Sequence, residues 1–506
     1  MIAWKEIERV CAYHNIIVYG LGKRASDLFE RLGTQYVIAE VIDNDRSKQG
    51  MRVDELLPET FQTNGGSVTV NSPSVLLKYK PDDTGILVVS GRYFGDIKRE
   101  LEREGFYWIY DMYSCDELLP ANDSATHLKK KEAYIQCCLE MEINEEKIVF
   151  NAFADYADHE KYISEEMHAR HPDWELVWLV ESLDSKLPDY VRKVRKSNWK
   201  KVIYEMETAK VWISDLPVAG DIVKREGQIY IQTKHWASIT LKRFYLDAAT
   251  FNSVLEKRSV WKRESEIIDY IVAGSWFDRE SCMRGFDFDR EFIMAGSPRS
   301  DGLFRVQENK QKVYSCYGIP ENVHVLMFAP TYRFSRESGK TVHQSREIEF
   351  AYHAVKDALG KRFGGEWMIA LRLHPSVVHA TKEMEFPDFV FDVSTYMDSE
   401  ELVSAFDIVV SDYSSIMFEP AFIRKPVLLY ASDLADYLEN EYDLLFDYRE
   451  LPFDMAETME ELCWNIMKFD RDVYVKRVDA FLDRYGVHED GHASDRVVDF
   501  ISGLLR

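Results

Sequence analysis

Short apolar runs rich in β-branched residues alternate along this chain with longer stretches of helical periodicity. In FDIVVSDYSSIMFEPAFIRKPVLLY (residues 406–430), an apolar run is followed by polar residues, a helical stretch and a second apolar run. Such runs are typical of strands buried on both faces of a parallel sheet, and a strand–helix–strand unit closes with a right-handed crossover. The repeated pattern therefore predicts an α/β protein built on parallel sheets.

The apolar runs fall into three groups, which predict how the 506 residues divide into domains. The predicted segments are a small Rossmann-like domain (1–120), a linker with a helix (121–145), a first Rossmann-like lobe (146–304), a second lobe (305–480) and a C-terminal helix (481–506). Ligands of open parallel sheets bind at the carboxyl ends of the strands. The cleft between the two successive lobes is therefore the expected active site.

The composition argues against several classes of protein. A net charge of −24 and a pI near 5.1 argue against general nucleic-acid binding, because most of the surface would repel a polyanion. No signal-peptide pattern and no apolar run of membrane-spanning length is found, so we expect a cytoplasmic protein. The seven cysteines form no CxxC pair, which predicts buried thiols and no metal site. The sequence predicts no particular oligomeric state.

One basic run, VRKVRKSNWKK (residues 191–201), stands out from this acidic background. Its Lys, Arg and Trp side chains are compatible with contact to anionic lipid, which would place the protein at the inner face of the membrane. A solvated helix face is the more usual explanation of such a run.

The first group of runs opens with a strand, a Gly20-x-Gly22 turn and an amphipathic helix. A second strand ends at Asp43, about 20 residues further on, where the acid that binds a ribose lies in dinucleotide-binding folds. These three residues are candidates for binding a nucleotide, which would suit an NAD-dependent oxidoreductase or a nucleotide sensor. The alternative is that Gly-x-Gly only forms a tight strand-to-helix turn.

Polar residues follow five predicted strands of the two larger lobes. They are Lys234 and His235, the segment 297–301, the segment 331–333, His374, and the segment 411–415. Because these positions are the carboxyl ends of parallel strands, we expect their side chains to line one cleft.

A phosphate is the ligand that this set of side chains suits best. Ser414 and Ser415 precede a predicted helix, where unpaired N–H groups and the helix dipole favour an anion. Arg299 or Arg333 would add a guanidinium fork. Taken alone, the Ser pair is more simply explained as a helix cap. The coincidence of polar residues at five strand ends favours the phosphate site.

Two histidines at strand ends, His235 and His374, are candidates for a base that accepts the proton of a hydroxyl near neutral pH. Asp301 and Glu419 are candidates for orienting these histidines, and helix capping is the alternative for both.

Six motifs, in order, resemble the CDP-glycerol glycerophosphotransferase family of teichoic-acid and capsule polymer transferases, which have a GT-B-like fold. They are AFADYADHEKYI (152–163), IYIQTKHWASITLKRFYLD (229–247), AGSPRSD (295–301), APTYR (329–333), LRLHP (371–375) and VSDYSSIMFEPAFIRKPVLLY (410–430). The resemblance covers roughly residues 146–480 and implies a pair of GT-B lobes preceded by an extra Rossmann-like domain.

The resemblance also implies roles for individual residues. His235 falls on the family's proposed base, whereas His374, Arg299, Ser414 and Ser415 fall on the site for the donor phosphates. Lys242, Asp412 and Glu419 lie within the same motifs and are candidates for binding substrate. The sequence departs from the family at Trp236, which replaces a glycine, and at Glu419, which replaces an aspartate.

The implied reaction is the transfer of a polyol phosphate from CDP-glycerol or CDP-ribitol to a hydroxyl of a surface polymer or its lipid-linked precursor. No cofactor is expected beyond the CDP-polyol, and contact with the membrane would be peripheral. The same cleft suits a nucleotide-sugar-dependent GT-B glycosyltransferase, which is the alternative function.

Overall fold

A computed structural model describes residues 15–21, 25–32, 38–56, 68–90, 93–112, 131–183, 185–218, 222–248, 255–331, 333–335, 340–342, 350–373, 386–440 and 443–505. The chain forms two compact units, Met1–Ala133 and Tyr134–Arg506. The first contains one parallel sheet and the second contains two. The predicted α/β fold is therefore confirmed.

The N-terminal unit has a five-stranded parallel sheet in the order β3-β2-β1-β4-β5. The strands are β1 (Asn15–Tyr19), β2 (Ile38–Ile42), β3 (Val70–Asn71), β4 (Thr84–Val88) and β5 (Trp108–Asp111). The helices are α1 (Ala25–Leu32), α2 (Val53–Leu56) and α3 (Phe94–Arg103). Ile16 and Val18 of β1 pack into one core, and Ile17 and Tyr19 pack into another. The apolar run is continuous because both faces of the sheet are covered.

The first lobe of the second unit has seven parallel strands in the order β12-β11-β10-β9-β6-β7-β8. They are β6 (Asn144–Asn151), β7 (Glu175–Val180), β8 (Val191–Arg195), β9 (Ala209–Ser214), β10 (Ile229–Gln232), β11 (Tyr270–Ala273) and β12 (Phe292–Met294). The helices are α4 (Asp158–Arg170), α5 (Trp199–Thr208), α6 (Leu255–Ile267) and α7 (Trp276–Phe286), and a 3₁₀ helix, Pro298–Phe304, follows β12.

The second lobe has six parallel strands in the order β17-β16-β13-β18-β19-β20 and a separate antiparallel pair, β14–β15. The strands are β13 (Val323–Ala329), β14 (Arg333–Ser335), β15 (Lys340–Val342), β16 (Glu366–Leu371), β17 (Val390–Asp392), β18 (Ile408–Ser411), β19 (Val427–Tyr430) and β20 (Asp454–Ala456). The helices are α8 (Val306–Tyr317), α9 (Tyr352–Phe363), α10 (Ser399–Ala405), α11 (Phe418–Phe422), α12 (Leu434–Asn440), α13 (Met459–Lys468) and α14 (Arg471–Tyr485).

The last helix, α15 (Ala493–Leu504), returns to the first lobe. Its apolar residues Val497, Val498 and Ile501 are fully buried and belong to the same core as Ile148 and Ile163. Helix α15 therefore completes the core of the first lobe. Within the described ranges, none of the helices combines the length and the apolar character needed to span a bilayer.

The basic run 191–201 forms the edge strand β8 and the start of α5 rather than one helix face. Arg192 pairs with Glu175 and Glu205, so its charge is neutralised within the protein. The indole of Trp199 packs edge-on against Tyr134, with 5.7 Å between ring centroids. These contacts use side chains that lipid binding would need, and they give no support to a lipid-binding surface here.

Candidate active site

The carboxyl ends of the two large sheets face a common cavity of about 520 Å³ between the lobes. The first lobe contributes the segment after β10 and the 3₁₀ helix after β12, whereas the second lobe contributes the ends of β13, β16 and β18. The polar lining residues include His235, Thr240, Lys242, Arg299, Thr331, Arg372, Ser399, Ser414, Ser415 and Glu419. The predicted cleft is therefore present, and it contains most of the predicted side chains.

His235 follows β10 and lines this cavity, and the residue keeps part of its surface exposed to solvent. Its Nδ1 lies 3.3 Å from the hydroxyl of Tyr245, which orients the ring. The surrounding walls desolvate the imidazole and lower the pKa of His235, Asp158 opposes this effect, and Arg299 and Lys234 lower the pKa further. The ring is therefore neutral at neutral pH, as a base must be.

The backbone next to His235 is held by a buried ion pair. Nζ of Lys234 lies 3.0 Å from Oδ2 of Asp278, and neither side chain is exposed. The same ammonium donates to the carbonyl oxygen of Trp236 at 3.1 Å. Lys234 has a left-handed backbone with φ of 58°, a conformation that is costly for a non-glycine residue and has to be stabilised by its surroundings.

The side chain of Trp236 is buried in the first lobe. Its indole packs against Phe244, with 4.0 Å between ring centroids, and its Nε1–H donates to Oδ1 of Asp278 at 2.9 Å. Its carbonyl oxygen also accepts a hydrogen bond from Nε2 of His159 at 3.0 Å. The large ring is therefore tied into the core, and it leaves His235 free to face the cavity.

Arg299 lines the cavity, but its guanidinium already binds protein acceptors. Nε donates to Glu400 at 2.6 Å, and Nη1 donates to Asp158 at 2.8 Å and to the carbonyl oxygen of His235 at 3.1 Å. Nη2 donates to Ser399 at 3.1 Å. The fork of Arg299 therefore joins the two lobes, and donor-phosphate binding by this arginine stays a prediction.

Glu419 lies beside this cluster, with Oε1 3.2 Å from Nη2 of Arg299. Its Oε2 is buried and has no hydrogen-bond partner among the described residues. Burial raises the pKa of Glu419 to about 7, an effect that Arg299 opposes and Asp158 reinforces. The predicted substrate-binding carboxyl is therefore in the cavity and holds a proton at neutral pH for part of the time.

Ser414 and Ser415 also line the cavity, at the end of β18. Ser414 caps the 3₁₀ helix Ser415–Met417 through a long hydrogen bond of 3.4 Å from the amide of Ile416. The hydroxyl of Ser415 accepts from the amide of Leu241 at 3.1 Å and lies 3.0 Å from that of Thr240. One serine caps and the other contacts the first lobe, and phosphate binding by the pair stays a prediction.

Two predicted aspartates bind backbone amides, and their roles in catalysis or substrate binding stay predictions. The carboxylate of Asp301 accepts from the amides of Ala493 and Ser494 at 2.9 and 2.7 Å, so it caps α15, which is one of the two alternatives that the sequence left open. Oδ1 of Asp412 accepts from the amides of Thr331 and Tyr413, so it joins the ends of β13 and β18. Neither aspartate borders the cavity.

The remaining predicted residues are less informative. Lys242 borders the cavity, with Nζ 5.7 Å from the ring centroid of Tyr437. Arg333 begins β14, and the structure describes its backbone alone. His374 and Gly22 lie outside the described residues.

In the N-terminal unit, Gly20 has φ of +89°, as expected of a tight turn after β1. Oδ2 of Asp43 accepts from the amide of Leu21 at 2.9 Å and from Nζ of Lys48 at 3.1 Å, and Oδ1 accepts from the amide of Asp45. The predicted ribose-binding carboxylate is thus already bonded to protein groups that hold the turn.

The comparison with known families shows to which family the chain belongs. A profile of the family described as CDP-glycerol:poly(glycerophosphate) glycerophosphotransferase matches residues 133–503, which is most of the chain. The chain belongs to this family. The resemblance inferred from the six sequence motifs is therefore confirmed.

Curated relatives in the same family include enzymes of teichoic acid synthesis. The teichoic acid poly(glycerol phosphate) polymerase of Staphylococcus epidermidis is 27% identical over 387 residues, covering 74% of this chain and 53% of the relative. The teichoic acid glycerol-phosphate transferase of Staphylococcus aureus is 28% identical over 376 residues, covering 71% of this chain and 93% of the relative. The chain thus spans about half the length of the S. epidermidis polymerase.

Solved structures of the wall teichoic acid polymerase TagF share the fold. One has a TM-score of 0.64 at 26% identity and covers 76% of this chain and 95% of the TagF chain. Another, with a TM-score of 0.65 at 25% identity and the same coverage, is a histidine variant that was soaked with CDPG.

Sequence reasoning missed several residues that build the site. Asp158, like Lys234, has a left-handed backbone, and it binds Arg299 beside the cavity. Asp278 and Glu400 are fully or almost fully buried, yet their sequence neighbourhoods resemble ordinary helix starts. Their partners are distant in the sequence, so no local signal identified them.

The two lobes are joined next to the cavity by a further buried cluster. Nζ of Lys161 lies 2.5 Å from Asp398 and 3.0 Å from Glu401. The hydroxyl of Tyr162 donates to Asp398 at 2.9 Å. Lys161 and Tyr162 belong to α4 of the first lobe, whereas the two acids belong to the start of α10 in the second. These contacts hold the lobes in the arrangement that forms the cleft.

Proposed function

We propose that this protein transfers glycerol phosphate from CDP-glycerol to a hydroxyl of a teichoic-acid-like or capsular polymer, or of its lipid-linked precursor, and releases CMP. The observation that carries the proposal is the position of His235. It is a neutral imidazole that faces a cavity of which Ser414 and Ser415 form another wall. Membership of the glycerophosphotransferase family supports the choice of donor.

In the proposed reaction, the hydroxyl oxygen of the acceptor attacks the β-phosphorus of CDP-glycerol. His235 accepts the hydroxyl proton as the new P–O bond forms, and the P–O bond to CMP breaks, with its electron pair leaving on CMP. In the tautomer whose Nδ1–H donates to the hydroxyl of Tyr245, Nε2 carries no proton and is the nitrogen that accepts it. The protonated ring then returns this proton to solvent.

The choice between two donors and the location of the protein in the cell belong to the same proposal. CDP-ribitol is the second candidate donor, because relatives include a teichoic acid poly(ribitol-phosphate) polymerase of Bacillus spizizenii that is 29% identical over 238 residues. A lipid-linked acceptor would place the protein at the inner face of the cell membrane as a peripheral protein.

The proposal is tested by determining which bond of the donor breaks. The purified protein is incubated separately with CDP-glycerol, CDP-ribitol and a UDP-sugar, each with and without a lipid-linked glycerol phosphate acceptor, and the released nucleotides are separated by chromatography. We expect acceptor-dependent release of CMP, and release from His235→Ala that is slower by ~10²-fold or more. Release of a nucleoside diphosphate from the UDP-sugar would instead indicate a glycosyltransferase and contradict the proposal.

A further inference from the structure

Three arginines line the cavity, and two of them, Arg299 and Arg372, differ in what their guanidinium groups contact. Arg299 is surrounded by the carboxylates of Asp158, Glu400 and Glu419. Three carboxyl groups around one cation leave no excess positive charge in this corner of the cleft. A diphosphate placed there would meet acidic oxygens and no unused guanidinium edge.

Arg372 stands at the carboxyl end of β16, on the second lobe. Its Nη1 donates to the carbonyl oxygens of Val393 and Tyr396, at 3.3 and 3.0 Å. It forms no ion pair with any residue in the described ranges, and these two bonds are the only ones that its side chain makes there. The guanidinium is therefore anchored on one side, while the edge formed by Nε and Nη2 is not used by the described protein.

The charge of Arg372 persists in the cleft. Burial lowers the pKa of this arginine, whereas Glu400, Glu419 and Asp398 raise it from a distance. An arginine remains protonated at neutral pH even after a substantial shift, because its ordinary pKa lies far above 7. On the first-lobe side of the cavity, Arg243 pairs with Asp247 at 2.9 Å.

The strand order places Arg372 close to the hydroxyl pair. In the sheet, β16 pairs with β13, and β13 pairs with β18, so the ends of these three strands lie side by side. Arg372 follows the first of them, and Ser414 and Ser415 follow the third. An anion above the end of β13 would therefore have a guanidinium on one side and two hydroxyls on the other.

We propose that Arg372 binds the diphosphate of the donor through its Nε and Nη2 edge, in the role that sequence motifs assign to Arg299. The proposal rests on the proposed function, because it takes a CDP-polyol as the donor. The bonds to Val393 and Tyr396 hold the guanidinium plane, so the free edge meets a phosphate with little loss of side-chain entropy. Arg299 acts as a positioning residue that joins the lobes.

The experiment compares a ligand that has phosphates with one that lacks them. Binding of CDP-glycerol and of cytidine is measured by isothermal titration calorimetry for the wild type, Arg372→Lys and Arg372→Gln. Arg362→Lys is the matched control, because Arg362 also donates to a backbone carbonyl, that of Phe469, but does not border the cavity. The ratio of the two affinities isolates the contribution of the phosphates.

We expect both Arg372 variants to bind CDP-glycerol about tenfold or more weakly, because a bidentate charged contact is lost, and to bind cytidine as the wild type does. Arg362→Lys should leave both affinities within about twofold. The proposal would be overturned if the ratio of the two affinities stays unchanged in the Arg372 variants, whether neither affinity falls or both fall equally. Failure of the wild type to bind CDP-glycerol would refute the proposed donor itself.

Discussion

Lys234 and Asp278 form an ion pair of 3.0 Å in which both side chains are fully buried. The pair lies directly under the segment that carries His235, and Asp278 also accepts from the indole of Trp236. A buried charge is stable only when its partner is present, so each residue of the pair requires the other. The position of the candidate base thus depends on two residues that do not touch the cavity.

Asp278→Asn removes the partner of a buried ammonium while keeping a side chain of the same size. We expect the free energy of unfolding to fall by about 3–5 kcal/mol, because Lys234 is left buried and unpaired. Urea unfolding followed by tryptophan fluorescence measures this change. Asp454→Asn, which breaks an exposed pair with Arg477, is the control and should cost less than about 1 kcal/mol. Equal effects of the two variants would contradict the assignment.

His235→Ala removes the proposed base and leaves the second lobe intact. We expect turnover to fall ~10²-fold or more while the affinity for CDP-glycerol stays within about threefold, since the contribution of a base is made chiefly in the transition state. Steady-state release of CMP and direct titration of the donor give the two quantities. Near-normal turnover would exclude His235 as the base and make His374 the next histidine to test.

The pH dependence of turnover reports the protonation of His235. The base must be neutral, and the pKa of this histidine lies below its usual value of 6.5 because the cleft desolvates it. The neutral form therefore persists as the pH falls, and we expect the acidic limb of kcat to lie below pH 6.5. Asp158→Asn removes a charge that raises this pKa and should move the limb to still lower pH. A limb above pH 6.5 would show that another group titrates.

Glu419→Gln should change how stability depends on pH. The pKa of Glu419 rises from 4.5 to about 7 on folding, so between these values the folded state holds a proton that the unfolded state releases. Its contribution to stability is present below about pH 4.5 and is lost as the pH rises through 7. We therefore expect Glu419→Gln to resemble the wild type at pH 4.5 and to exceed its free energy of unfolding by up to about 3 kcal/mol at pH 8.

Urea unfolding at both pH values measures this difference. Glu450→Gln is the control, because that glutamate is exposed and removing its charge should leave the pH dependence as in the wild type. A Glu419→Gln protein that loses stability between pH 4.5 and 8 as the wild type does would show that other carboxyls cause the loss.

The double variant Ser414→Ala, Ser415→Ala separates helix capping from phosphate binding. The loss of two hydrogen bonds to a charged phosphate should weaken the binding free energy of the donor by roughly 3 kcal/mol or more, or abolish turnover. Thr458→Ala is the matched control, because it removes a side-chain cap from α13, far from the cavity. The control should cost about 1 kcal/mol of stability and leave donor binding unchanged. If the double variant behaves in the same way, the serines are caps only.

The sequence predicted the parallel sheets and the convergence of their ends because both depend on local patterns. A buried strand is an uninterrupted apolar run, and the polar residue after it marks the edge where ligands bind. His235, Ser414 and Ser415 were found in this way, Glu419 was found from the motif that continues after the serines, and the structure places all four around one cavity. The order of the six motifs was enough to indicate the family.

Only the tertiary structure decided what each polar group does there. Arg299, Asp301 and Arg372 all follow strands, yet Arg299 meets a carboxylate 101 residues away and Asp301 meets amides 192 and 193 residues away. The chain encodes its periodicity within a few neighbouring residues, whereas the partner that a guanidinium or carboxylate meets depends on how distant elements pack. For this reason the sequence by itself determined the fold class and the place of the cleft, and the packing of the two lobes decided which partner each charged group meets among the described residues.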